Sequence, residues 1–141
     1  MKAQGLAILG GRSGTRLLLS ISGVVAAAIA ATILVAPEAF YTGYGIEVAG
    51  NATLANELKA PAGALLVAGL LMLAGVVRRE LEIVSLTTAA VVYLSYGLSR
   101  LSSIAIDGMP HSAMLGAAGI ELALGAVCLF SLLQLRRVNA R

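Results

Sequence analysis

Four apolar runs, residues 17–36, 60–77, 83–106 and 112–135, limit what this chain can fold into. The first carries no charge over twenty residues, and about 20 residues at 1.5 Å rise cross a bilayer core of about 30 Å. Inside a bilayer every backbone N–H and C=O must be paired within the protein, so runs of this length read as helices. The expected fold is all-α: one domain over residues 1–141, a membrane-embedded four-helix bundle. A water-soluble alternative fails on composition. The chain is 59% hydrophobic and 12% charged, with a mean hydropathy of +0.93, whereas soluble chains carry roughly 25% charged residues. A cleaved signal peptide is the rival reading of the first run, but the run is longer than a usual signal h-region, which favours a retained span.

The polar stretches between the runs punctuate them. Residues 1–16 read as a short flexible leader; their Gly10-Gly11-Arg12-Ser13-Gly14-Thr15 faintly resembles a phosphate loop but lacks its lysine and a preceding strand. Residues 37–59 form the longest connection, long enough to carry function or structure of its own. Its Phe40, Tyr41 and Tyr44 suit a membrane–water interface. Asn51-Ala-Thr53 reads as a helix-cap signal, and Pro61 is expected in the first turn of the second span, where its missing N–H costs nothing. Arg78 to Glu82 and Asp107-Gly108-Met109-Pro110 mark two tight turns.

Charge gives the expected orientation. An even number of spans puts both termini on one side, and that side collects eight of the ten Lys and Arg: Lys2, Arg12, Arg16, Arg78, Arg79, Arg136, Arg137 and Arg141. The positive-inside rule then predicts an inner-membrane protein with both termini cytoplasmic. The net charge of +3 is clustered at span ends with no nucleic-acid motif, so a nucleic-acid partner is not expected. One cysteine, Cys128, excludes an internal disulfide, and with a single histidine, His111, leaves no ligand set for a metal or haem. No cofactor is expected.

Two charges interrupt the apolar runs. Arg100 stands seven residues before Asp107 on the third span, roughly 10 Å below its outer end, and Glu121 stands about ten residues into the fourth, at a similar depth. An unpaired charge near the bilayer centre costs about 2.5–3.5 kcal/mol on insertion scales, so the two are expected to pair. Helical spacing supports this. Tyr93, Tyr96, Gly97, Ser103 and Asp107 share the face of Arg100, while Ala117, Ala118, Leu124, Gly125 and Cys128 give Glu121 a face of mostly small residues. Asn56, Glu57, Lys59, Asp107 and His111 extend a polar track toward the outer surface. The pair reads either as structural glue fixing the helices, as the polar floor of a cavity for a lipid-like or quinone-like ligand, or as part of a conduction path. His111 reads as a cap or interfacial residue, Cys128 as packing, and Tyr93 and Tyr96 as hydrogen-bonded core.

The chain resembles an uncharacterised family of small bacterial four-helix membrane proteins, a domain of unknown function of DoxX-like character. The resemblance rests on Asn56-Glu57-Leu58-Lys59-Ala60-Pro61-Ala62-Gly63, on Gly97-Leu98-Ser99-Arg100-Leu101-Ser102-Ser103 continuing to Asp107-Gly108-Met109-Pro110, and on Glu121-Leu122-Ala123-Leu124-Gly125. It implies a four-helix fold and singles out Glu57, Lys59, Arg100, Asp107 and Glu121. Where the family shows Glu-x-Arg-Ala, this chain has Lys59, a point charge in place of a planar fork. The DoxX-like likeness implies quinone-linked chemistry, although this chain lacks side-chain ligands to carry electrons itself. Three functions remain open: a binding or accessory protein, alone, as a homo-oligomer or in a larger membrane complex; an enzyme acting on a lipid-like substrate; and a subunit of a small transporter. An enzyme would need a carboxylate within about 3 Å of a reacting atom.

Overall fold

The computed structural model describes residues 12–139. They form α1 (Arg12–Val35), a short α2 (Pro37–Thr42), α3 (Ala52–Val77), a 3-10 turn (Arg79–Leu81), α4 (Glu82–Asp107) and α5 (Ser112–Asn139). Four of these, α1, α3, α4 with its preceding turn, and α5, are long and apolar enough to cross a membrane. Their outward faces carry Leu17, Val24, Val67, Leu70, Val91 and Leu98, all exposed, as lipid-facing surfaces require.

Three boundaries differ from expectation. Arg12 to Arg16 belong to α1, where Gly14 and Thr15 are buried, so this part of the expected leader is helix and not a phosphate loop; residues 1–11 lie outside the described part of the chain. The 37–59 connection is mostly helical. Pro37 opens α2, and Asn51 caps α3 by accepting a 2.9 Å hydrogen bond from the Leu54 amide at its Oδ1. Gly50, at φ +73°, supplies the left-handed turn into that cap. Because the cap starts α3 at Ala52, Pro61 falls well inside the helix and not in its first turn. The Glu57 carbonyl there loses its helical donor, a defect that membrane helices accommodate.

The bundle is built from two close pairs, α1 with α3 and α4 with α5, joined mainly through α3 and α4. Small residues allow each approach. A Cβ on Gly69 would lie 2.8 Å from the Ala27 amide nitrogen, and one on Gly23 would lie 2.7 Å from Leu73 Cγ. Gly75 packs onto Ser85, whose hydroxyl donates to the Leu71 carbonyl at 2.7 Å and ties α4 to α3. Leu18, Leu19, Met72, Leu86, Cys128 and Leu132 fill the half of the bundle nearest the start of α1 and the end of α5. Contacts of α1 with α4 and α5 are few. The opposite half is therefore not closed by the same packing.

Candidate functional site

That looser half holds a cavity of about 370 Å³. Each span turns one helical face toward it: Ala26, Ile29 and Ile33 from α1; Leu58, Pro61, Ala62 and Leu65 from α3; Tyr93, Tyr96 and Arg100 from α4; Met114, Ala117 and Glu121 from α5. The spacings of three and four residues are those of side chains stacked on one side of a helix. Aliphatic and aromatic carbon dominates, with a few polar groups gathered at α4 and α5, the usual make-up of a small-molecule site.

At the polar edge Arg100 Nε donates to Glu121 Oε2 at 2.9 Å, with the two side chains 34% and 15% exposed. The expected meeting of these residues is thus present in the fold. Its cause is the α4–α5 packing: a Cβ on Gly97 would lie 2.7 Å from Leu122 Cγ, and one on Gly125 would lie 2.7 Å from Leu94 Cγ. The two helices are close enough for one hydrogen bond to bridge them. The two terminal amino groups of Arg100 make no hydrogen bond among the described residues.

The floor is Tyr93, buried, whose hydroxyl donates to the Ser22 carbonyl of α1 at 2.7 Å. Beneath it the Ser22 hydroxyl meets Cys128 Sγ at 3.7 Å, so Cys128 is a buried packing residue, as expected. The cover is aromatic. Phe40 and Tyr41 stack edge-on at 5.1 Å, Phe40 and Tyr44 lie 5.5 Å apart, and Tyr44 meets the edge of His111 at 6.4 Å. Burial pushes the Tyr41 phenol above its ordinary value of 10.0; Tyr96 adds to the shift, the Arg100 guanidinium opposes it, and Tyr44 adds a smaller part. Tyr41 therefore stays a neutral donor near Tyr96 and Arg100 at physiological pH.

Of the residues singled out from sequence, Arg100, Glu121 and Tyr96 line the cavity. Tyr96 is exposed to it, not enclosed as hydrogen-bonded core. Ser103 donates to Asp107 Oδ2 at 2.8 Å on the exposed last turn of α4, away from the lining. Asn56 and Glu57 are exposed and Lys59 half-buried, and none of them lines the cavity. The reason is helical phase. Leu58, Pro61, Ala62 and Leu65 occupy the inward face of α3, and Asn56, Glu57 and Lys59 are rotated off it. The expected polar track is not assembled. His111 Nδ1 accepts from the Ala113 amide at 3.3 Å, the capping role expected of it. Among the described residues no group of three His, Cys, Asp or Glu side chains is placed to hold a metal.

The interfacial reading of Phe40, Tyr41 and Tyr44 does not by itself link them to the site, whose cover they form. Their clustering shortly after Pro37, a residue suited to opening a helix, is the available signal; Phe40 and Tyr41 fall on α2 and Tyr44 on the turn that follows it.

A family model described as Domain of unknown function (DUF4345) matches residues 14–132. The matched stretch runs from the first turn of α1 into α5 and includes every residue lining the cavity. No curated protein and no solved structure matches the chain.

Proposed function

We propose, for a chain that belongs to the family Domain of unknown function (DUF4345), that it is a multi-pass membrane protein binding an amphiphile, lipid-like or quinone-like, between its four helices. The carrying observation is the unspent donor capacity of Arg100 at one edge of an otherwise apolar cavity. A guanidinium has five N–H donors. Here Nε alone is engaged, and the remaining four point to no acceptor among the described residues. A ligand whose polar head offers oxygen acceptors satisfies them, while its apolar body lies against Ile29, Ile33 and Leu65.

The membrane reading takes its support from the four apolar helices. Arg12, Arg16, Arg78, Arg79, Arg136 and Arg137 stand at the end of the bundle opposite the cavity, which by the positive-inside rule favours a cytoplasmic side for that end in a bacterial inner membrane. The cavity then faces the outer leaflet. A quinone-like occupant agrees with the DoxX-like resemblance, with the protein holding the molecule and any electron transfer left to a partner.

Native mass spectrometry of protein extracted with its lipids tests the reading. Wild-type protein should retain a small amphiphile, and Arg100→Gln should lose it while keeping the bundle folded. Ligand-free wild-type protein, or equal retention by Arg100→Gln, would overturn it.

A further inference from the structure

We infer that Glu121 is a specificity-determining residue, which makes this cavity select ligands with an uncharged, oxygen-bearing head group and reject anionic ones. The inference rests on the amphiphile-binding reading and narrows it. Among the described residues, Arg100 and Glu121 are the only formally charged side chains lining the cavity. They are joined through Nε and Oε2 at 2.9 Å, so their charges cancel where a head group would sit. An arginine alone in an apolar pocket is an anion site, because its planar fork suits carboxylates and phosphates. With Glu121 on its Nε side, an incoming anion at the terminal amino groups also meets a carboxylate one guanidinium away, in surroundings of low dielectric where like charges repel strongly.

The rest of the lining fits the same class. Tyr41 and Tyr96 bring phenol groups to this edge of the cavity, and neither hydroxyl makes a hydrogen bond within the described residues. Phenols and guanidinium N–H groups together give a donor-rich but net-neutral surface. Carbonyl and hydroxyl oxygens of a neutral head satisfy those donors and add no charge for the protein to balance. The volume of about 370 Å³ lies at the lower end of the roughly 300–1,000 Å³ usual for small-molecule sites. It accommodates one head with part of one chain or ring, not the two chains of a phospholipid.

The test is a competition between two probes with the same acyl chain: monooleoylglycerol, which is uncharged, and oleoyl lysophosphatidic acid, which is anionic. Both are offered to the full-length protein in a neutral detergent, and occupancy is read by native mass spectrometry. Wild-type protein is expected to favour the glycerol ester by about tenfold or more, since like-charge placement is the discriminating element. Glu121→Gln keeps the shape and an acceptor oxygen but raises the net charge of the lining by one, and should reverse the preference toward the phosphate. Equal or greater wild-type occupancy by the lysophosphatidate overturns the inference, and so does an unchanged preference in a Glu121→Gln protein that unfolds at the wild-type temperature. The wild-type competition decides the matter even where the variant does not fold. Binding of both probes without preference sinks the role of Glu121 alone, whereas binding of neither sinks the amphiphile-binding reading with it.

Discussion

Gly97 lies so close to Leu122 that a Cβ on the glycine would sit 2.7 Å from the leucine Cγ and 3.2 Å from its backbone nitrogen. The Gly125–Leu94 contact repeats this geometry one turn away, so α4 and α5 interlock immediately to one side of the Arg100–Glu121 pair, toward the start of α4 and the end of α5. Gly97→Ala forces the helices apart where Leu122 has little room to yield, and should cost about 1–3 kcal/mol, the usual range for overpacking. Gly116, with nothing within 4 Å of its Cβ position, is the matched control. Gly116→Ala should be neutral or slightly stabilising through helix propensity. Thermal unfolding of both variants in the same detergent checks the contrast, and equal midpoints would show that the α4–α5 approach is not set by Gly97.

The ion pair calls for a double-mutant cycle. Arg100→Met leaves a carboxylate in an apolar setting and Glu121→Met leaves a guanidinium, and either should destabilise the bundle by about 1–2 kcal/mol, near the upper end measured for polar contacts between membrane helices. The double variant should cost less than the sum of the singles, by about 0.5–2 kcal/mol of coupling. Simple additivity in reversible unfolding would mean that the 2.9 Å contact contributes nothing to the fold.

Tyr93 separates fold from ligand binding. Its hydroxyl is spent on the Ser22 carbonyl and ties α4 to α1, a helix it otherwise touches little. Tyr93→Phe should lower stability by about 1 kcal/mol, the net worth of one hydrogen bond, and leave ligand retention intact because the ring still forms the floor. A variant of native stability that has lost the ligand would assign the hydroxyl to binding instead.

How much of this was legible beforehand follows from the size of each signal. A charge inside an apolar span is costly enough that pairing is its cheapest resolution, so Arg100 and Glu121 read as partners from depth and spacing alone. The turn at Gly108, with φ +99°, was equally plain from Asp107-Gly108-Met109-Pro110. Pro61 departs from its expected place because two local rules compete there: proline favours a first helical turn, but the Asn51 cap starts α3 earlier and wins. The phase of α3 was hidden as well, since it is fixed by the approach of Gly69 to Ala27, a tertiary contact. With that phase unknown, Asn56, Glu57 and Lys59 could not be seen to turn away from the cavity. The Gly23-x-x-x-Ala27 spacing on α1 is the sequence signal for that contact.

The aromatic cover should control exchange more than affinity for the fold. Phe40 is the hub of the cluster, touching both Tyr41 and Tyr44, and Tyr44 reaches across to His111 at the start of α5. Aromatic pairs of this kind are worth about 0.5–1.5 kcal/mol each beyond the area they bury, so losing two of them at Phe40→Ala should speed ligand release by about tenfold, the equivalent of about 1.4 kcal/mol. Global stability should fall less, because α2 is a six-residue helix on which the close packing of α1 with α3 and of α4 with α5 does not depend. Tyr44→Phe keeps the ring against Phe40 and His111 and should release ligand at the wild-type rate. Dissociation of a retained amphiphile, followed over time after dilution into ligand-free detergent, distinguishes the variants. A Phe40→Ala protein that releases at the wild-type rate would mean that ligand leaves sideways between the helices and not past α2.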